Sequence, residues 1–343
     1  MMTNIKDEPL LLRKFKDINY FTTDEEFQSF PENKLPFLKR IVCSWKWIVL
    51  FFTMISQQFF FLSAIKSAKG KSLVLGFFLL ILMTIIIWIL GIKSKTAPQK
   101  KSLVFLGIID VTYLFIVLST AANISPIFLA ALLQISILFR MFLMKFTQYH
   151  PFLLTHYLAG IIIIVSVSVN YGYNGNDYSY LLLLGILLQT TSAVFKISYL
   201  RKNIAEEIAV NKVTLLSSTV FGGAFLPLVL AMQGISIGDH LNEGFKCMVG
   251  IGCDLLPVFI FCLGISVAAH HYMLNNGKEF KEGQRVVHMM SGLLTLVGFS
   301  LSGVLFDDFS TELVEVLTGI IAAFGCSVYY FYPEVPIKFS YSN

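Results

Sequence analysis

The sequence predicts an all-α membrane protein of ten transmembrane helices, arranged five plus five. Three observations carry that expectation: a shortage of charge, ten apolar runs of helical length, and a one-sided distribution of Lys and Arg. Of the 343 residues, 56% are apolar and only 14% are charged, whereas a soluble domain has about a quarter charged. Too few charges exist to clothe a soluble fold of this length, and a bilayer removes the need because apolar surface can face lipid. The net charge of +5 does not indicate nucleic acid, because the basic residues sit in short clusters between apolar runs.

Residues 1–43 are polar, contain Pro9, Pro31 and Pro36, and lack the apolar core of a signal peptide. They are expected to form a cytosolic, largely disordered tail, with the first span serving as the insertion signal. In Asp7-Glu8-Pro9-Leu10-Leu11-Leu12 an acidic residue precedes a Leu pair, the pattern of a dileucine sorting signal. Asp7, Leu11 and Leu12 are therefore candidates to engage adaptor proteins that route membrane proteins to lysosomes and vacuoles. The ten-helix domain is expected over 44–333, and 334–343 form a second cytosolic tail.

The spans follow from runs of about 20 apolar residues. The first, 44–65, opens on the interfacial rings of Trp45 and Trp47 and carries Gln57 and Gln58 midway; the second is 72–92. The third, 102–120, holds Asp110. A tight turn from Ala121 to Ser125 leads to the fourth, 126–146, which contains Gln134 at its middle and Arg140 toward its end. The fifth, 153–172, follows a turn at His150-Pro151 and bears Ser166, Ser168 and Asn170. The sixth, 180–200, carries Gln189 and then Lys196 near its end. Spans at 210–233, 255–275, 286–306 and 313–333 complete the set. His270 and His271 end the eighth, His288 begins the ninth, and Tyr329, Tyr330 and Tyr332 close the tenth as interfacial anchors. If the two halves of five are duplicates, the second is inverted relative to the first.

Orientation comes from the basic residues. With the N-terminus in the cytosol, all but Lys66, Lys69, Lys71 and Lys246 of the 26 Lys and Arg fall on the cytosolic side. A wrong helix count would invert every later loop and blur that asymmetry. Both termini are thus expected in the cytosol.

An ionisable residue inside a span costs roughly 2.5–3.5 kcal/mol on insertion scales. Asp110 and Arg140 lie at similar depth, on the order of 10 Å from the cytosolic end, on helices joined by a short hairpin, and are expected to pair. Lys196 either snorkels to the headgroups or joins the solute pathway. Gln134 and Gln189 either line that pathway or bond a neighbouring helix. The far-side loop Gly234–Cys253 holds Cys247 and Cys253. An oxidising compartment would allow them to pair; otherwise they are two free thiols. No metal-ligand spacing, phosphate loop, G-x-S-x-G or H-E-x-x-H is present, so neither a metal, a cofactor nor an enzymatic activity is expected.

The stretches VFLGIIDVTYLFIVLSTAANIS, ALLQISILFRMFLMKF and HYLAGIIIIVSVSV within 104–170 resemble the chloroquine-resistance-transporter-like family of the drug/metabolite transporter superfamily. Asp110, Asn123 and the Gln134-x-Ser136 pair carry the resemblance, with SAVFKISYLRK around Lys196 and the segment Gly244–Cys247 beside the membrane. The sequence departs from the family pattern at Leu138-Phe139-Arg140, at Ile197 and at His288-Met289-Met290-Ser291. The resemblance implies a central cavity between inverted halves, alternating access, and proton-driven export from an acidic vacuole or lysosome. Its implied solutes are peptides, amino acids, thiols or cationic drug-like compounds, with Asp110 as the proton site. A Golgi nucleotide-sugar transporter of the same superfamily is the first alternative, with Arg140 and Lys196 then meeting phosphates. A non-transporting membrane receptor or scaffold is the second.

Overall fold

The computed structural model describes residues 45–331 except 69, 92–99, 149–151, 176, 204–206, 233–235, 276–277 and 307–311. Asp7, Leu11, Leu12 and both tails lie outside the described residues, as do several of the basic clusters that orient the chain. The chain divides into a unit Met1–Ile48 and a unit Val49–Asn343. Of the first, only Trp45–Ile48, the opening turn of a helix, is described.

Among the described residues every element is helical. The helices are α1 (Trp45–Ser67), α2 (Ser72–Leu90), α3 (Lys100–Thr120), α4 (Pro126–Leu133), α5 (Ile135–Gln148), α6 (Leu154–Asn174), α7 (Asp177–Asn203), α8 (Glu207–Met232), α9 (Ile237–Met248), α10 (Leu256–Asn275), α11 (Lys278–Leu305) and α12 (Leu313–Phe331), with a 3₁₀ turn at Ala121–Asn123. Nine of the described spans are long and apolar enough to cross a membrane, α4 and α5 counting together as one, Pro126–Thr147. The apolar part of α10, Leu256–His270, is shorter. The protein is therefore an integral membrane protein with an all-helical membrane domain.

The outer surface fits lipid. On α6, Leu158, Ile161, Ile164 and Val165 are exposed at the spacing of one helical face. The opposite face of α6 buries Ala159, Ile163, Ser166, Val167 and Asn170 against α12. No aqueous surface would tolerate so much apolar exposure, whereas hydrocarbon does.

The fourth span is broken. Gln134 interrupts it between α4 and α5, and its side-chain amide donates to the carbonyl of Ala130 at 3.1 Å. Apolar residues flank Gln134 on both sides, so hydropathy reads α4 and α5 as one run.

Cross-helix contacts sort the helix ends into two groups. Ser63 near the end of α1 donates to Ser302 near the end of α11 at 3.0 Å, and Ser125 ahead of α4 reaches Glu315 in the first turn of α12. These mark one end of the bundle, termed distal. At the other, proximal, end Lys212 early in α8 donates to the carbonyl of Gly91 after α2 and lies 5.4 Å from the Trp88 ring centre. Between the ends the helices pair as α2 with α8, α3 with α7 and α8, α4 with α11, α6 with α12, α11 with α12, and α2 with α10.

Small residues set the tightest crossings, as membrane packing without a hydrophobic drive requires. A Cβ on Gly298 of α11 would stand 2.6 Å from Cβ of Gln58 and 2.8 Å from the carbonyl oxygen of Ile55 on α1. Gly107 of α3 meets α8 similarly, 2.6 Å from the carbonyl oxygen of Thr214.

Candidate functional site: a polar cavity within the helical bundle

A cavity of about 250 Å³ opens inside the bundle, lined by side chains from α1, α3, α4, α5, α7 and α11. Five of its polar groups are Gln58 of α1, Tyr113 of α3, Gln189 of α7, and Ser291 and Thr295 of α11; Gln134 and Ser136 add the break in the fourth span. Phe61 and Phe299 supply aromatic wall. No lining residue carries a formal charge. Such a chamber offers amide and hydroxyl donors and acceptors in an otherwise apolar interior, the composition of a small-solute site.

Helical spacing explains how these groups converge. Tyr113 and Val117 stand three and seven residues beyond Asp110 on α3, so the three share one face. Gln189 and Lys196 stand seven apart on α7 and likewise share a face. The two faces meet, because α3 packs on α7. Lys196 donates to Asp110 in an ion pair of 2.5 Å, with both side chains about a quarter exposed. The pair sits toward the proximal end, about 5 Å along α3 from Tyr113 and about 10 Å along α7 from Gln189 at 1.5 Å per residue.

The expected Asp110–Arg140 pairing is corrected. Asp110 takes Lys196 as its partner, whereas the Nε of Arg140 lies 3.5 Å from the sulfur of Met144 one turn along α5. The physical reason is packing order: α3 lies against α2, α7 and α8, so equal depth on a hairpin neighbour does not bring Arg140 to it. Asn123 is exposed in the 3₁₀ turn and donates to the carbonyl of Ser119 at 3.3 Å; it stands at the distal end, away from the cavity lining. Of the residues singled out from sequence, Gln58, Gln134, Ser136 and Gln189 line the cavity, and Asp110 and Lys196 stand beyond it on the faces of Tyr113 and Gln189.

Cys247 and Cys253 are joined as a disulfide, closing the loop between α9 and α10 at the distal end. Cys262 and Cys326 are free thiols. Nearby, Lys71 donates to Glu243 in an ion pair and lies 3.3 Å from Nδ1 of His240. The hydrogen bond from Lys71 and its charge hold the Glu243 carboxyl below the usual range. Burial, then the Lys71 charge, push the His240 imidazole below its usual value, with Glu243 acting against both. Since the ammonium of Lys71 can only donate, Nδ1 accepts and Nε2 carries the proton. That Nε2 is buried without a hydrogen-bond partner.

Sequence reasoning passed over Tyr113, Thr295 and Glu315. Tyr113 carries a signal in its spacing from Asp110. Glu315 is an acidic residue in the first turn of an apolar run, a place where acidic side chains normally serve an exposed helix N-terminus, yet it is only 1% exposed.

Among the described residues no group of His, Cys, Asp and Glu is arranged to hold a metal ion. No protein-family model matches the chain, and no curated protein matches it.

Proposed function

We propose that this protein is a secondary active transporter that moves a small polar solute by alternating access. The observation that carries the reading is the uncharged polar cavity, lined from both the first five spans and the second five, within an apolar helical bundle. The residue pattern around Asp110, Gln134 and Lys196 adds the resemblance to chloroquine-resistance-transporter-like proteins, and with it proton coupling.

The helix pairings support two inverted halves of five. Under a shift of five spans, the pairs α2 with α8, α4 with α11, and α6 with α12 map onto themselves. The pair α3 with α8 maps onto α10 with α2, and α4 with α6 maps onto α11 with α12. The pair α3 with α7 maps onto α10 with α1, where Gln57 donates to the carbonyl of Ser266 at 3.1 Å. Rocking of one half against the other about such a site is the usual form of alternating access.

In this reading the bundle lies in a vacuolar or lysosomal membrane with both termini in the cytosol, so the proximal end faces the cytosol and the distal end the acidic lumen. The Asp110–Lys196 pair then closes the cytosolic side of the cavity, and protonation of Asp110 releases Lys196. A nucleotide sugar would need cations at its phosphates; the lining residues include none, and Lys196 is held by Asp110.

Proteoliposomes with an acidic interior test the proposal against peptides, amino acids, glutathione and nucleotide sugars. Gradient-dependent movement of a peptide, amino acid or thiol is expected, and Asp110→Asn should leave flux that no longer responds to the gradient. Movement of nucleotide sugars alone, or of nothing on that panel and no cationic drug, would sink the reading.

A further inference from the structure

A second carboxylate is buried at the distal end of the bundle, and nothing in the cavity or the Asp110–Lys196 pair uses it. Glu315, 1% exposed, accepts from the hydroxyl of Ser125 and from the backbone N–H of Phe128 at 3.2 Å. Ser125 is the N-cap of α4, and its own Oγ also accepts from Phe128 N–H at 3.3 Å. The helix therefore has two caps at one N–H: a neutral one from its own chain neighbour and an anionic one from a different helix. Free N–H groups at a helix start carry a partial positive charge, which a carboxylate complements and a neutral acid does not.

Among the described residues the partners shown for that carboxylate, Ser125 and the Phe128 N–H, are both uncharged. The sequence of α4 contains no titratable residue, and the part of α11 that follows His288 in the chain, 289–305, contains none. From α6 the titratable groups at this end are the phenols of Tyr171, whose ring centre lies 6.3 Å from that of Phe128, and of Tyr173, which is exposed. The other α6 groups here are neutral: Ser166 donates to the carbonyl of Thr318, and Asn170 donates to its hydroxyl at 2.8 Å. Immediately before α12, Glu312 stands three residues earlier. Those α6 bonds fix α12 to α6, so Glu315 is presented from a braced helix to a shorter one.

What α4 does with that contact follows from its length. It is eight residues long and ends at Gln134, on the cavity wall. A rigid segment of about 12 Å thus has the Glu315 carboxylate at one end and the solute chamber at the other. We infer that Glu315 is a second proton-binding site, distinct from Asp110, and that its protonation frees the first turn of α4 and with it the Gln134 wall of the cavity. The step is a simple one: a hydronium proton bonds to a carboxylate oxygen, the anion that caps α4 becomes a neutral acid, and deprotonation restores the cap. It rests on the proposed transport function and deepens it by assigning a buried carboxylate at the distal end to coupling.

Hydrogen–deuterium exchange on the full chain in lipid nanodiscs reads the latch without needing the solute. After correction for intrinsic rates, wild-type amides of α4 should exchange faster at pH 5 than at pH 7.5. Glu315→Gln, which imitates the protonated form, should show fast exchange at both pH values, by roughly five- to tenfold at pH 7.5, the size of a lost N-cap. Ser125→Ala, which keeps the carboxylate, should retain the pH response. If Glu315→Gln fails to fold, Glu315→Asp replaces it and must shift the pH midpoint of α4 exchange. An α4 response to pH that is the same in wild type and the Glu315 variants, or no response in wild type, overturns the inference. Failure of the solute screen with a Glu315-dependent α4 response would overturn the transport reading and leave this site standing.

Discussion

Asp110 and Lys196 show what one ion pair does inside an apolar bundle. Each charge alone would be costly at that depth, and together they satisfy one another while leaving a quarter of each side chain open to solvent. Neutralising one partner strands the other charge, the most damaging way to break a buried pair. Asp110→Asn and Lys196→Gln are each expected to slow net transport at least about tenfold, about 1.4 kcal/mol of barrier. The double variant should lose little more than the worse single, because the two act as one unit. Fully additive losses in the same flux assay would show that the pair is not the gate. Both residues were visible in the sequence as charges in apolar runs, as was Arg140. Which charge meets which was not, because partner choice depends on α3 lying against α7, and no local feature encodes that crossing.

At the scale of an element, α9 is held at the distal end by three kinds of contact. The Cys247–Cys253 bridge ties its end to the start of α10. Gly244 lets it approach α2, since a Cβ there would stand 2.7 Å from a methyl of Val74. Lys71 binds Glu243 and faces His240. The sign of the pH effect follows from the imidazole. Its folded value lies below the ordinary 6.5, so the neutral form belongs to the docked helix. The stability it contributes is complete above the ordinary value and is lost as pH falls through the lower folded one. Glu243, also depressed, keeps its contribution in that window and loses it only at lower pH still. The thermal midpoint of purified protein is therefore expected to fall as pH drops below about 6.5, and His240→Gln should flatten that slope. An unchanged slope in the variant would remove His240 as its cause. The sequence offered two cysteines and, by resemblance, a segment beside the membrane at Gly244–Cys247. It could not show that His240 turns inward beside Lys71, 169 residues distant in the chain, because that contact is made only by tertiary packing.

For the whole molecule, the number of crossings turns on α10. Hydropathy alone leaves α10 short, with its apolar part ending at His270. We propose that α10 nevertheless crosses in full. The start of α10 is tethered at the distal end, through Cys253 to α9 and through α9 to Lys71. The next helix, α11, finishes at that same end, where Ser302 meets Ser63. A helix of 28 residues is about 42 Å long, so α11 must begin near the opposite end. The end of α10, immediately before it in the chain, must then lie there too. Twenty residues extend about 30 Å, enough to span the hydrocarbon core, and Gln57 bonds the α10 backbone midway, at Ser266. Its last turns, His270 through Asn275, would then sit in the interface. Ten crossings put both termini on one side, as the Lys and Arg distribution predicts; nine put them on opposite sides. Epitope tags at each terminus, probed in sealed and permeabilised organelles, should respond alike, with both accessible before permeabilisation. A C-terminal tag revealed only after permeabilisation would mean that α10 turns back, and the five-plus-five arrangement would fall with it.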